Sequence, residues 1–429
     1  MLGALVALRH SQARWRRVPL RAVHINHGLR PAANDWAKHC RSLCRRLGVP
    51  LTVRKVSVLP ARGQSLEAVA RDARYAALGR GLRRGEWLLA AHHVDDQLET
   101  LLLQLLRGAG VSGLAAMPRQ ASFGAGWLLR PLLGESRSAL ERWAATHGLD
   151  WVDDDSNVDE RFDRNYLRRR VLPLLRARWP AAATVAARSA AHLGEARELL
   201  EVLAATDLAA IVADGHCIDL GRLGRLGVAR QRNVLRHWLR TRGLPVPDAV
   251  HLERIRSEMP AARVDAQPQV RWEGGEVRRF RGLLYAFASA GSMNAVAVTP
   301  PSLQWSWRRR RRLALGEGLG ALRLVADPHG ELAAASLPAT LWVGAREGGE
   351  KLVTAAGGPQ RPLKELLRVA AVLPWDRGRL PVLFDSAPGA AARRVVAIPG
   401  IGTAVAYRAL PGVTPVRGRL RLVWEGGFC

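Results

Sequence analysis

Trp87-Leu88-Leu89-Ala90-Ala91-His92-His93-Val94-Asp95-Asp96-Gln97-Leu98-Glu99-Thr100 decides how the amino-terminal part of this chain folds. Five apolar residues in a row before His92 suit a central strand buried on both faces. The pattern turns helical from about Asp95, with acids where a first helical turn favours them. Working backward, Leu66 to Leu82 reads as a helix, Leu51 to Val58 as a strand, Asp35 to Leu47 as a helix, Leu20 to Ile25 as a strand and Leu2 to Leu8 as the tail of a helix. Strands alternating with amphipathic stretches predict an α/β class, a doubly wound parallel sheet covered by helices. The first strand and its turn normally form the ligand crevice of such a sheet. A chain that begins in mid-helix is therefore expected to lack that first strand.

Beyond Pro173 the pattern is almost entirely helical through about Arg256, and the Ala-rich stretch Ala181 to Ala204 reads as a connecting helix. From Val270 short β-type runs separated by Gly and Pro take over, with the basic run Arg308 to Arg312 in the join before a final segment from about Leu341 to Trp424. The expected domains are 1–180, an incomplete α/β domain; 181–290, a helical domain; 291–338, a linker; and 339–429, a small mixed α/β domain.

The 429 residues are 48% hydrophobic and 24% charged, an ordinary globular balance that argues against disorder. The net charge of +28 is far more than solubility requires and implies a polyanionic partner, nucleic acid before an anionic membrane surface. Only Lys38, Lys55, Lys351 and Lys364 of the 65 basic residues are lysine, a bias that GC-rich coding partly accounts for, yet the excess over 37 acids survives that discount. No run of 18 apolar residues occurs, and Met1 to His10 is too short for a secretory signal, so a cytoplasmic protein without a membrane role is expected. Cys40, Cys44, Cys217 and Cys429 show no C-x-x-C pair, and neither a disulfide nor a structural metal is expected.

Four constellations carry candidate chemistry. Val23 to Arg30 (VHINHGLR) brings His24 and His27 to a strand end, where Gly28 lets backbone approach closely; a strand-end turn with one satisfied histidine is the plainer reading. Asp96 and Glu99, three apart, share a helix face and together suit a cation, either a metal ion or an ammonium group. The plainer alternative is that they only offset the macrodipole, with Asp95 as a cap. Arg107, two turns on, would face the same end only if the helix is short. Asp153 to Asn157 followed by Arg164, Asn165 and Arg168 shapes either a phosphate-facing site or a solvated helix face. Arg346, Lys364 and Arg377, interleaved with Trp375, suit an RNA backbone and its exposed bases, or a small core with Trp375 inside it.

In this order, VHINHGLR, GQSLEAVARDARYAAL, HHVDDQLET to LLRGAGVSGLAAM, LLRPLL, the DDSN to RNYLRRRVLPLL block and the carboxy-terminal R-x-GG-x-K, LKELL, PWDR and LPVL segments resemble the tRNA(Ile)-lysidine synthetase family along essentially the whole chain. The resemblance implies an N-type ATP-pyrophosphatase domain over 1–180, tRNA-binding domains at 181–290 and 339–429, and an ATP-dependent carbon–nitrogen ligase. Such an enzyme joins L-lysine to carbon 2 of the wobble cytidine in the CAU anticodon of tRNA(Ile) through an adenylated cytidine, so that AUA is read instead of AUG. It implies ATP with Mg2+, possible homodimerisation, and roles for Asp96 and Glu99 toward the lysine ammonium or magnesium. By the same resemblance His24, His27, Gly28 and Arg107 lie around the nucleotide, and Arg164, Asn165 and Arg168 face substrate. The family's Ser-Gly-Gly-x-Asp-Ser loop, whose amides would hold pyrophosphate, occurs nowhere in the sequence. Residues 1–429 alone are accordingly expected to bind tRNA with little or no ligation, and a catalytically inactive tRNA-binding homologue is the alternative reading. The related 2-thiolation enzymes rely on paired cysteines that Cys40-x-x-x-Cys44 does not supply.

Overall fold

The computed structural model describes residues 1–28, 32–59, 66–152, 159–213, 216–263, 266–289, 299–390, 393–410 and 412–426, and divides into two compact units, Met1–Thr206 and Asp207–Cys429. The division falls within the long connecting helix rather than at residue 181.

The first unit runs α1 (Leu2–Ser11), α2 (Ala13–Arg16), β1 (Ala22–Asn26), α3 (Ala33–Arg46), β2 (Leu51–Lys55), α4 (Leu66–Arg80), β3 (Trp87–Leu89), α5 (Val94–Leu106), α6 (Val111–Leu114), β4 (Gln120–Phe123), β5 (Gly126–Leu129), α7 (Arg137–Thr146), α8 (Asp163–Tyr166), α9 (Leu172–Arg178) and most of α10 (Ala182–Ile211). β1 pairs in parallel with β2, from Ala22 opposite Leu51 to Asn26 opposite Lys55. β3 pairs in parallel with β5, which also pairs antiparallel with β4. Among the described residues these two sheets share no ladder. The strand before His92 is consequently not buried on both faces: it is a short edge, with Trp87 62% exposed and Leu88 and Leu89 half-buried. Its apolar run carries the composition of a central strand but, among the described residues, pairs on one side only.

Helix α5 has two faces with different tasks. Val94 and Leu98 pack on Leu172 of α9 and on Ala183 and Ala186 of α10. Burying a leucine of this kind is worth roughly 2–3 kcal/mol and fixes the helix in place. Asp96 and Glu99 lie on its other face.

The second unit continues with β6 (Val212–Ala213), β7 (Cys217–Asp219), α11 (Leu220–Gly224), α12 (Val228–Thr241), α13 (Ala249–Ala261), β8 (Gln269–Trp272), β9 (Gly275–Phe280) and β10 (Leu283–Phe287). The helical stretch thus ends at Ala261 and is completed by a five-stranded sheet in the order β6-β7-β10-β9-β8. Leu235, Trp238 and Leu239 of α12 and Leu252, Ile255 and Met259 of α13 pack on Val270, Val277 and Leu284 of that sheet. Helix-period apolar residues meet alternating strand residues there.

The expected linker 291–338 is not a linker where it is described. β11 (Leu303–Trp305), β12 (Arg312–Gly316), β13 (Gly320–Ala326) and β14 (Leu332–Ala333) join β15 (Leu341–Gly344), β16 (Lys351–Leu352), β17 (Arg361–Pro362), α14 (Leu363–Val369), β18 (Val382–Phe384), β19 (Val395–Ile398), β20 (Gly402–Thr403) and β21 (Arg419–Trp424). β11 pairs with β15, and β13 pairs with β21 from Leu322 opposite Trp424 to Ala326 opposite Leu420. Trp305, Trp307, Leu322 and Leu324 are core residues of this body. The strands are short and Arg-rich, so their period is hidden by charge, while their inward side chains are as apolar as any in the chain.

Candidate active site

The carboxyl end of β3 runs through His92 into α5, whose N-cap is His93. Asp96 Oδ2 accepts the His93 backbone N–H at 2.9 Å, so one of its oxygens satisfies an otherwise unpaired helix donor. Asp95 Oδ2 accepts the Arg137 N–H at 2.8 Å and Oδ1 accepts Arg176 Nη2 at 2.6 Å, tying α5 to α7 and α9. The His93 imidazole above all, then the Arg137 amide and the Arg176 guanidinium, hold the Asp95 carboxyl well below the usual carboxylate range against the opposing effect of burial.

Glu99 is 1% exposed. Its Oε1 accepts Arg168 Nε at 2.7 Å, and its Oε2 accepts Arg164 Nε at 2.7 Å and Arg168 Nη2 at 2.9 Å. Arg164 Nη2 donates to Asp96 Oδ1 at 3.0 Å, and Arg168 Nη2 lies 3.6 Å from the same oxygen. Two carboxylates and two guanidiniums therefore form one network. The two arginines are four residues apart, across a π-helical turn at Leu167–Val171 that precedes Pro173. Proline has no N–H to give a regular helix, and π turns of this kind recur where side chains must be re-aimed.

Arg164 and Arg168 thus pair with Asp96 and Glu99, the two acids expected to face a lysine ammonium or magnesium. Among the described residues no group of three or more His, Cys, Asp or Glu is arranged to hold a metal ion. Arg107 does not join this network. It caps the far end of α5, 64% exposed at its side chain and 3.6 Å from Asp163. The helix has 13 residues, long enough to carry Arg107 away from the acidic pair.

A second cluster collects at the ends of β1 and β3. Burial first, and Arg41 second, push the His24 pKa down, and its Nδ1 lies 3.6 Å from Cys40 Sγ. His27 is lowered by burial, then by Arg74 and His24. His92 is pushed down to about 4, mainly by burial, with Arg130, Arg164 and Arg74 adding to it and Asp96 opposing. Both His27 and His92 are thus neutral at physiological pH and share the field of Arg74, while His92 also feels the acid–arginine network. His92 links the two clusters. Arg130, 7% exposed, donates to the Pro118 carbonyl at 2.8 Å and is bonded to Tyr75, over whose ring Arg71 and Arg74 lie at 5.6 and 5.5 Å. Gly28 has φ +65° with open space where a Cβ would sit, and its N–H donates to Asn26 Oδ1 at 2.8 Å. Buried nitrogens without a partner, His27 Nδ1, His92 Nδ1 and Arg130 Nε, complete the cluster. Cations, neutral imidazoles and unspent polar atoms fit an anionic, hydrogen-bonding ligand such as a nucleotide.

The chain matches the PP-loop domain over residues 3–175, the TilS substrate binding domain over 218–285 and the TilS substrate C-terminal domain over 341–424. It is 42% identical to the tRNA(Ile)-lysidine synthase of Coxiella burnetii over 85% of this chain and 80% of that protein. It is also 44% identical to that of Pseudomonas aeruginosa over 95% and 86%, and 42% identical to that of Alkalilimnicola ehrlichii over 92% and 86%. The chain belongs to the tRNA(Ile)-lysidine synthase family. Membership places it among carbon–nitrogen ligases built on an ATP-using PP-loop domain, and the inactive-homologue reading is not favoured.

In lysidine-synthase terms, the remaining expected residues lie in the C-terminal domain. Arg346 follows β15, Lys364 is exposed on α14, and Arg377 follows Trp375. Burial, then Arg346 and Arg281, push the Arg377 pKa down, so three cations are close enough to repel one another. Trp375 is not inside a separate small core. Its ring meets Phe280, Tyr285 and Phe287 edge-on at centroid distances of 6.3, 5.2 and 5.5 Å, and Arg278 lies over it at 5.5 Å. Asn165 is buried and donates to the Asp159 carbonyl at 3.0 Å, a structural bond that sets the start of α8. Leu29, Arg30 and the acidic loop Asp153 to Asn157 lie outside the described residues. Sequence reasoning gave no role to Arg74 and Arg130, although both stand in quoted blocks, RDARYAAL and LLRPLL; an arginine within an otherwise apolar run was the available signal.

Proposed function

We propose that this chain joins L-lysine to carbon 2 of the wobble cytidine of a CAU-anticodon tRNA(Ile), in the cytoplasm, with ATP as activating co-substrate. The observation that carries the reading is the position of His92, a neutral histidine electrostatically coupled both to the Asp96–Glu99–Arg164–Arg168 network and to the Arg74 cluster. A site of this kind needs a region for an anionic nucleotide beside a region that holds the reacting base and amine.

The cytosine 2-carbonyl is a poor electrophile, and ATP supplies activation: the carbonyl oxygen attacks the α-phosphorus, the bond to pyrophosphate breaks and pyrophosphate leaves, and the oxygen becomes part of an AMP leaving group. Arg74 and Arg130 offset the nucleotide's negative charge, and magnesium accompanies its phosphates. His27 and His92, kept neutral, offer one nitrogen to donate and one to accept at the nucleotide. No described residue is assigned to the pyrophosphate. Asp96 and Glu99 act as positioning residues: they fix Arg164 and Arg168, whose remaining guanidinium N–H groups face the substrate as preorganised donors. When the lysine amine displaces AMP, the C2–O bond breaks, a C2–N bond forms and the amine gives up its proton. Holding amine and base at attack distance removes most of the entropic barrier. +28 net charge over the sequence, and arginines at positions 232, 236 and 240 that repel one another along α12, suit a tRNA backbone.

AMP release, measured with and without each co-substrate, tests the reading. Release that requires both tRNA(Ile) with a CAU anticodon and lysine supports it. Equal release when the wobble cytidine is replaced by uridine would sink it.

A further inference from the structure

We propose that Arg309, Arg310 and Arg323 form a docking strip for the sugar–phosphate backbone of tRNA, an inference that rests on the tRNA substrate proposed above. The segment lies between the two matched substrate domains, 218–285 and 341–424, so neither domain description assigns it.

Five consecutive arginines, Arg308 to Arg312, are all exposed. A solvated run is the ordinary fate of such a sequence, and it would need no fixed backbone. Here the backbone is pinned. Trp305 and Trp307 are each 1% exposed; the indole N–H of Trp305 donates to the Arg310 carbonyl and that of Trp307 to the Pro338 carbonyl, both at 2.7 Å. The N–H groups of Arg309 and Arg310 donate to the Ser306 carbonyl at 3.0 and 3.1 Å, and the Arg311 carbonyl accepts the Leu324 N–H at 2.9 Å. Two fully buried indoles thus hold a turn whose side chains are all cationic.

The arginines then divide by partner. Arg308 and Arg311 stack on Trp307 at 4.5 and 5.0 Å from its centroid. Arg312 pairs with Glu425, and Arg421 pairs with Asp327, both at 2.7 Å. Among the described residues Arg309, Arg310 and Arg323 have no acidic partner. Arg323 stands directly opposite Arg312 in the β12–β13 ladder, an arrangement that like charges disfavour. A rigid turn and the strand paired with its last arginine therefore carry three exposed arginines whose charge no acid offsets among the described residues. Arginine forks match phosphate oxygens bidentately, which makes a polyanion the fitting partner. A bilayer fits less well, since membrane-surface elements pair their cations with exposed apolar side chains, and the exposed large apolar residues of this unit lie elsewhere, at positions such as Val250, Val369 and Val413.

The test compares the full chain with the variant Arg309→Ala/Arg310→Ala/Arg323→Ala in equilibrium tRNA binding over a series of salt concentrations. Each lost phosphate contact makes the plot of log affinity against log salt shallower by about 0.7–0.9, so the triple variant is expected to lose roughly 2 from the slope and about tenfold or more in affinity near 0.1 M salt. Its melting temperature should not fall, because only exposed side chains are shortened. R309Q/R310Q, which leaves the ladder intact, should lose between one and two contacts' worth of slope. Unchanged slope and affinity in both variants would overturn the inference. So would an unchanged tRNA affinity accompanied by lost binding to phosphatidylserine vesicles. If the unmodified chain bound tRNA(Ile) no better than unrelated tRNA, the substrate reading would fail, yet the variants would still lose slope on any tRNA if the strip is right.

Discussion

Replacing Glu99 by Gln removes the charge at the centre of the acid–arginine network while keeping the side chain's size. Glu99 is 1% exposed and accepts three charge-assisted bonds, at 2.7, 2.7 and 2.9 Å. Breaking a fully buried pair costs about 3–5 kcal/mol, because the partner charge is stranded. The Arg164 and Arg168 side chains keep 25% and 26% of their exposure, so water relieves part of that, and about 3 kcal/mol is the expected loss. For a unit the size of Met1–Thr206, each kcal/mol moves the melting temperature by roughly 2–4 °C, which gives a fall of about 6–12 °C. Calorimetry measures the fall, and amide exchange across α5, α8 and α9 locates it. A double-mutant cycle with Arg168→Gln should return a coupling of about 1 kcal/mol or more. A melting temperature within about 2 °C of the parent with no coupling would refute the view that Glu99 holds these arginines.

Three further outcomes are expected. His92 has its pKa lowered to about 4 from 6.5, chiefly by burial. Its contribution to stability is therefore complete above pH 6.5 and is lost as pH falls toward 4. The full shift corresponds to about 3 kcal/mol, reduced to about 1–2 kcal/mol by the water that reaches this half-buried ring. His92→Phe should flatten the stability profile over that window, and an unchanged profile counts against a neutral, buried His92. Arg107→Ala should change stability by less than about 0.5 kcal/mol and leave lysine transfer intact, since its pair with Asp163 is exposed; a tenfold loss of transfer would support the nucleotide-site role that the family resemblance implies. Trp375→Ala should cost about 2 kcal/mol through its three edge-on aromatic neighbours, seen as faster amide exchange in β9 and β10; exchange confined to the Trp375 loop would contradict that packing.

The alternation of strands and helices across the first unit could be read because each element spans enough residues to show its period. The expected helix at 35–47 is found as Ala33–Arg46, and the strand from Leu51 is found as Leu51–Lys55. The strands from Val270 were legible as short β-type runs, but elements of two or three residues, such as β6, β11 and β14, show no period, which is why 291–338 was read as a linker. The site shows the same limit. Asp96 and Glu99 were found because they share a helix face. Their partners Arg164 and Arg168 are 65 to 69 residues away, and only tertiary packing reveals that the two constellations neutralise each other. Where Arg107 points is set by helix length, and length is the least certain quantity in a sequence reading. Burial of Arg130 and the neutrality of His92 are properties of packing, and no local pattern announces them.

Nucleoside mass analysis of the wobble position bears most directly on the central claim. CAU-anticodon tRNA(Ile) would be incubated with lysine, ATP and the native gene product that contains these 429 residues, then digested and its position-34 nucleoside examined. The account expects cytidine to gain the mass of one lysine less one water, with isotope from labelled lysine retained, and expects no gain with uridine at that position. An unmodified cytidine under conditions where the same protein binds that tRNA tightly would contradict it.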